Sequence, residues 1–257
     1  MKLILDTVQP KNTFDDNAFP LGSLMEFTDT FPLQGEGLYA AVFSRNREVI
    51  QTQKDHFAIA NLKKILTATF EISATSGFDR MSLRDLSRQA GMSMGAIYSC
   101  ISKKEDIALM VADIVRLSSE LTRHHGLNSG SSWVQIEQSI RFHLFASTLL
   151  QPWYFFLYFE TRSLPEEQQR ESKQIELDAI NSFEALIVAG VEKEEFCIND
   201  SRMVANTIVV LLEDWYLKPW KTMNTKKKKL SIEQQEKQIN EYFQSIICLI
   251  RKLLINS

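Results

Sequence analysis

From Phe57 onward the apolar positions fall three and four residues apart. Phe57, Leu62, Ile65, Leu66 and Phe70, with Thr69 among them, make one stripe of a helix. No proline interrupts the chain between Pro32 and Pro152. Further windows of helical spacing cover 133–149, 152–162, 165–190, 200–216 and 231–254, separated by glycine, proline or polar stretches. Strand-like alternation is absent after residue 50, and no repeat period suggests a solenoid. The pattern predicts an all-α fold. The first 45 residues differ: they hold Pro10, Pro20, Pro32, Gly22, Gly35 and Gly37 and lack helical periodicity. They read as an irregular extension, with room for a short strand at residues 2–5. The expected organisation is an irregular extension over 1–50, a compact helical domain over 51–110 and a larger helical domain over 111–257.

The densest local signals lie between Ile65 and Ile107. Gly77 stands where a left-handed residue would end the first helix, and Phe78 follows to fold back on its apolar face. Ser82 precedes Asp85 by three positions, the spacing at which both side chains satisfy free N–H groups at a helix start. Leu83, Leu86 and Ala90 then form the apolar face of a two-turn helix, which Gly91 breaks. Ser93 is placed to cap a further helix through Gly95, Ala96, Ile97 and Tyr98. Two short helices joined by a glycine-containing turn predict a helix-turn-helix, whose second helix lies in the major groove of DNA. The small residues Ala90, Gly91 and Ala96 sit where the two helices cross. Leu86 and Ile97 point inward, which leaves Ser93, Met94, Gly95, Tyr98 and Ser99 pointing away.

In order and spacing, Ile65-Leu66, Phe70, Gly77-Phe78, Ser82, Leu86-Ser87, Ala90-Gly91-Met92-Ser93, Gly95-Ala96-Ile97-Tyr98 and Lys104-Glu105 resemble the TetR/AcrR (tetracycline-repressor-like) family. The chain departs from that pattern at Ile101, where an aromatic is usual, at Cys100, where histidine is frequent, and at Ser87, which replaces a common alanine. The resemblance implies that Tyr98 and Lys104 contact DNA phosphates and that Ser82 and Arg84 bond the DNA backbone. Ser93, Met94, Gly95 and Ser99 would face the bases. Met94, Gly95 and Ala96 offer no bidentate donor, so readout by this helix would rest on thymine methyl contacts and hydroxyls.

The resemblance also implies a helical C-terminal domain for ligand binding and dimerisation, with the helices over 200–216 and 231–254 pairing with a second copy. Val204, Ile208, Leu211 and Leu212, and Ile239, Phe243, Ile246 and Leu249, recur at helix-face spacing suited either to that interface or to the chain's own core. A homodimer would place two recognition helices one DNA turn apart on a near-palindromic operator. Phe142, Phe145, Trp153, Phe156, Phe159, Glu160 and Trp215 are the candidate ligand-binding residues, an aromatic set with one polar handle. The segments 157–170 and 213–222 resemble a subgroup of the family that responds to acyl-CoA thioesters, which makes an acyl-CoA or fatty acid the expected effector.

Composition narrows the alternatives. Net charge is −3 overall, yet 56–110 carries seven Lys or Arg against five acids while 1–50 carries four against seven. The basic surplus is local and modest. Cys100, Cys197 and Cys248 are far apart with no CxxC pair, and His124, His125 and His143 lack partners at metal spacing, so neither disulfide framework nor metal site is expected. No cofactor fingerprint, phosphate loop or nucleophile motif occurs, which argues against an enzyme. The N-terminus lacks the parts of a signal peptide, and the apolar run over 144–159 is broken by Gln151 and Pro152, so a cytoplasmic protein with no membrane partner is expected. The run 226–229 of four lysines reads as a solvated loop. The competing reading is a helical module that keeps the helix-turn-helix shape for ligand or protein contacts without specific DNA binding.

Overall fold

The computed structural model describes residues 19–51, 54–126, 130–221 and 230–255. The strand expected at 2–5, the lysine run 226–229 and the side chain of His125 lie outside what is described. The order of helices is α1 (Leu24–Thr30), α2 (Gly35–Arg45), α3 (Asp55–Ser76), α4 (Leu83–Ala90), α5 (Met94–Tyr98), α6 (Glu105–Gly126), α7 (Ser132–Leu149), α8 (Gln151–Glu160), α9 (Glu166–Glu192), α10 (Ser201–Leu217) and α11 (Ile232–Ile255). Short 3-10 turns follow α8 and α10, and no strand occurs among the described residues.

The extension expected to be irregular contains α1 and α2, which corrects that expectation. Ser23 caps α1 by accepting from the Met25 amide at 3.2 Å, and Leu24 and Phe27 on its inner face are fully buried. Phe31 ends the helix in an extended conformation, as the residue before Pro32 must avoid the helical region. α2 buries Leu38, Ala41, Val42 and Phe43. Its start is a tight corner. Gly35 has φ +53, and a Cβ added at Gly37 would lie 2.6 Å from the Pro32 carbonyl oxygen. Helices of 7 and 11 residues are marginal by themselves, so packing rather than propensity holds them.

The described residues form two compact units, one of 32–117 with 152–172 and the other of 19–31, 118–151 and 173–255. In the first, α3 buries Ala58, Leu62, Ile65, Leu66, Ala68 and Thr69 against α2, α4 and α5. Phe57, expected on this stripe, is 55% exposed in the first turn. The Arg45 guanidinium grips Asp113 of α6 in two hydrogen bonds of 2.6 Å. Arg116 of α6 likewise pairs with Glu171 of α9. Phe70, Phe78, Trp153 and Phe156 complete the core edge-to-face, with Phe78 and Phe156 centred 4.9 Å apart.

In the second unit α7, α10 and α11 pack around Phe142, Phe145, Ile208, Leu212, Ile239 and Phe243. The Trp215 indole donates to Thr148 Oγ1 at 2.9 Å, and the Tyr242 hydroxyl donates to the Leu211 carbonyl at 2.6 Å. Of the apolar rows that suit either core or interface, Ile208, Leu212, Ile239, Phe243 and Ile246 are buried within this chain, whereas Leu249 is 45% exposed. His143 is half-buried beside this core with its Nε2 out of solvent, and burial pushes its pKa down to about 4.

Two outcomes follow. Gly37→Ala should lower the thermal midpoint, with a loss of about 1–3 kcal/mol, because the new methyl meets backbone that cannot rotate away. The His143 imidazole binds fewer protons when folded than when unfolded between pH 6.5 and about 4, so its contribution to stability is lost as pH falls through that window. The midpoint of the wild type should therefore fall more steeply over that range than that of His143→Gln.

Candidate nucleic-acid interface

The interface is built from α3 downward through a chain of satisfied backbone groups. Gly77 closes α3 with φ +82 and its amide donates to the Ser73 carbonyl. The positive φ is as expected, although ψ is extended rather than left-handed helical. Phe78 turns inward and is fully buried. Its amide donates to Glu160 at 2.7 Å, while the Lys104 ammonium donates to the Asp79 carbonyl at 2.6 Å and lies over the Phe78 ring. A carboxylate thus takes the free N–H and a cation takes the free C=O of the same turn.

Ser82 and Asp85 form the reciprocal cap their spacing predicts. Ser82 Oγ accepts from the Asp85 amide at 3.1 Å, and Asp85 accepts from the Ser82 amide at 3.2 Å and its hydroxyl at 2.6 Å. The hydrogen bonds from Ser82, aided by Arg88, hold the Asp85 carboxyl below its usual pKa. Leu86 is fully buried, while Leu83 and Ala90 are half-buried. Gly91 then adopts the left-handed conformation, φ 61 and ψ 38, that ends α4. The turn is fastened by Ser87, whose hydroxyl donates to the Met92 carbonyl at 2.6 Å while the Met92 amide donates back to the Ser87 carbonyl at 3.0 Å. Sequence reasoning treated Ser87 only as a departure from alanine; a serine beside a five-residue turn was the signal for this bond.

Ser93 caps α5 by accepting from the Ala96 amide at 3.2 Å. On one side of α5, Ile97, Cys100 and Ile101 are fully buried, so the two positions that depart from the family pattern seat the helix. On the other side Ser93 and Gly95 are exposed, Tyr98 is 48% exposed, and Met94 and Ala96 are half-buried. Ser99 commits its hydroxyl proton to the Ala96 carbonyl at 2.8 Å. Arg84 and Ser82 are exposed at the start of α4. The candidate DNA-facing residues 82, 84, 93–96, 98 and 99 therefore come together on α4 and α5, with Lys104 engaged at the base of α3. Behind them an open hollow of about 230 Å³ separates the end of α3 from α4, lined by Ile72, Arg80, Asp85 and Arg88 among others. Beyond α5, the Asp106 carboxylate accepts from the amides of Ser102 and Lys103 at 2.8 and 3.0 Å and so starts α6.

The candidate ligand residues divide between the two units. In the first, Trp153 and Phe156 are core, Phe159 is half-buried against Phe155, and Glu160 is occupied at the Phe78 amide. In the second, Trp215 bonds Thr148, and Phe142 and Phe145 pack on Phe27 of α1 with centroids 5.1 and 5.3 Å away. Among the described residues no group of side chains is arranged to hold a metal, and no helix is long and apolar enough to cross a membrane.

Residues 65–111 match the family model for bacterial regulatory proteins of the tetR family. No curated protein matches the sequence. Among solved structures, a tetR-family regulatory protein from Rhodococcus is similar at 17% identity and a TM-score of 0.61, with 74% of this chain and 96% of that one covered. The regulator FadR from Bacillus subtilis, solved with stearoyl-CoA, has 18% identity and a TM-score of 0.54, with 72% and 97% covered. AibR, solved with isovaleryl coenzyme A and operator DNA, has 12% identity and a TM-score of 0.58, with 74% and 97% covered. These likenesses show that the chain shares the all-helical fold of those structures, and about a quarter of this chain lies outside each of them.

The cap supplies a direct check. Ser82→Ala should cost about 1 kcal/mol in thermal unfolding without DNA, and amide exchange should rise first at the start of α4. Unchanged exchange there would mean that the cap does not hold the helix.

Proposed function

We propose, from the premise that the chain belongs to the TetR family of bacterial regulatory proteins, that it is a transcriptional repressor released from a near-palindromic operator by an acyl-CoA thioester. The observation that carries the DNA-binding reading is the two-sidedness of α5: Ile97, Cys100 and Ile101 lock one side while Ser93, Gly95 and Tyr98 stand open on the other. A helix so held presents its N-terminal residues and backbone to a groove at little entropic cost.

Roles follow from chemistry. The Tyr98 hydroxyl, Arg84 and the remaining hydrogen of the Lys104 ammonium supply phosphate contacts, which set affinity, the two cations also setting its salt dependence. Ser93, Met94, Gly95 and Ala96 meet base edges, with Ser93 as donor because its oxygen already caps the helix. Ser99 acts by bracing α5, since its proton is spent internally.

Operator symmetry calls for a dimer. Met203 and Val210 on α10 and Leu249, Leu253 and Ile255 on α11 are 36–60% exposed in the isolated chain, apolar surface suited to the same elements of a second copy. For the effector, the acyl-CoA ligands of FadR and AibR support the choice of class. Within the second unit Phe142, Phe145 and Trp215 are the aromatic surfaces an acyl chain would meet. The role is regulatory, with no catalytic step assigned to any residue.

The test is selection of genomic fragments by the purified chain, followed by binding across salt concentrations with and without stearoyl-CoA or isovaleryl-CoA. A palindromic site should emerge and be released by one of the thioesters. Tyr98→Ala should weaken binding to all sequences with little change in salt slope, Arg84→Ala should also reduce the slope by about one, and Ser93→Ala should shift preference at particular bases. Failure to select any site would leave the helix-turn-helix as a protein-contact module and end this reading.

A further inference from the structure

α5 is poorly equipped to tell one base pair from another. Met94, Gly95 and Ala96 carry no side-chain donor, the Ser93 oxygen caps the helix, and the Ser99 hydroxyl donates to the Ala96 carbonyl. A two-pronged hydrogen bond to a base edge needs a side chain such as arginine, asparagine or glutamine. None stands on α5. Gln89 on α4 is engaged elsewhere, its amide donating to Glu71 of α3 at 2.7 Å.

Such a fork is delivered to α5 from another part of the same compact unit. α2 ends at Asn46, whose side-chain amide donates to the Val42 carbonyl at 2.9 Å. The Asn46 carbonyl accepts from the Val49 and Ile50 amides at 3.1 and 3.3 Å, which folds the segment into a turn. Arg45 holds the start of this turn to Asp113, and Ile50 is buried at its end. The next residue, Gln51, donates its backbone amide to the Ser99 carbonyl at 3.0 Å. Ser99 is the C-cap of α5, where carbonyls lack a helical partner, so this bond closes the helix end.

Gln51 is thereby fixed by its backbone and free at its side chain. The residue is exposed, and its side-chain amide has no hydrogen-bond partner among the described residues. Tyr98, beside the Ser99 carbonyl, is exposed at the same end of α5. α5 has five residues, so its end lies about 9 Å along the axis from Ser93. At about 3.4 Å per base pair, that separates Gln51 from the bases met by Ser93 by roughly two or three steps. Gln51 also precedes residue 65, where the match to the family model begins.

We infer that Gln51 is a specificity-determining residue of the DNA interface, reading adenine through its side-chain amide at a base pair that no side chain of α5 contacts. The amide oxygen accepts from adenine N6 while the amide nitrogen donates to N7, a pair of contacts that an A·T pair offers in the major groove. This rests on the DNA-binding reading above and adds to it a residue from outside the helix-turn-helix.

The test is selection from a randomised duplex pool by the full chain, wild type beside Gln51→Ala and Gln51→Glu, with binding to the recovered duplexes measured across salt concentrations. Both variants keep the backbone amide that bonds Ser99 and change only an exposed side chain, so both should fold as the wild type does. The wild type should require A·T at one position in each half-site. Gln51→Ala should lose that preference alone, with discrimination there falling by about fivefold to 150-fold, the worth of one bidentate pair. Its salt slope should not change, because no charge is lost. Gln51→Glu should prefer C·G at that position, since a carboxylate accepts from cytosine N4. Selection of one and the same site by all three proteins overturns the inference and leaves the proposed function standing. A uniform loss of affinity in Gln51→Ala, with every preference intact, also overturns it. A wild type that selects no sequence overturns both the inference and the reading beneath it.

Discussion

The turn between α3 and α4 hangs on one buried ring and the two charges around it. Phe78 can enter the core only because Gly77 takes a positive φ, and once inside, its amide would be stranded without Glu160. Lys104 closes the other half of the account by taking the Asp79 carbonyl. Through these contacts α8 and the start of α6 fix where α4 begins, and α4 in turn fixes α5. A five-residue helix has no stability of its own, so its orientation is inherited entirely from such neighbours. Loss of Glu160 would strand a buried donor, a larger penalty than loss of a surface contact.

Lys104 illustrates how one residue serves structure and contact together. An ammonium has three hydrogens; two reach the Asp79 and Phe78 carbonyls at 2.6 and 3.4 Å, and Phe78 supplies a ring face beneath it. One hydrogen is left for a further acceptor. The same economy holds at Ser93, whose oxygen caps α5 while its hydrogen stays available. The sparse side-chain chemistry of α5 is then less of an obstacle to recognition, since placement rather than donor count carries the information that positions a helix on DNA.

The helix-turn-helix was legible in the sequence because its signals are local. Ser82 with Asp85, Gly91 and Ser93 each satisfy backbone groups within a few residues, and spacing alone exposes them. The all-helical character of the later chain was legible from period for the same reason. Helices α1 and α2 were hidden because their stability comes from Glu236, Arg141 and Asp113, between 68 and 213 positions away. Their glycines and prolines, read as signs of irregularity, mark the corner between two helices instead. The contact of Glu160 was hidden in the same way, since its partner, the Phe78 amide, lies 82 residues earlier.

Burial in the second unit separates two demands that the sequence pattern merged. The rows on α10 and α11 are wide enough to serve a core and an interface, but a helix offers different residues to each. Ile208, Leu212, Ile239, Phe243 and Ile246 are spent on the core, and the side left open carries Met203 and Val210 about half a turn round on α10 and Leu249 about a quarter turn round on α11. Exposed apolar residues scattered singly need no explanation. These recur along α10 and along α11, which pack on each other within one unit, and α11 also carries the docked α1. A second copy seated on α10 and α11 would therefore rest on helices that the core of the same unit already fixes.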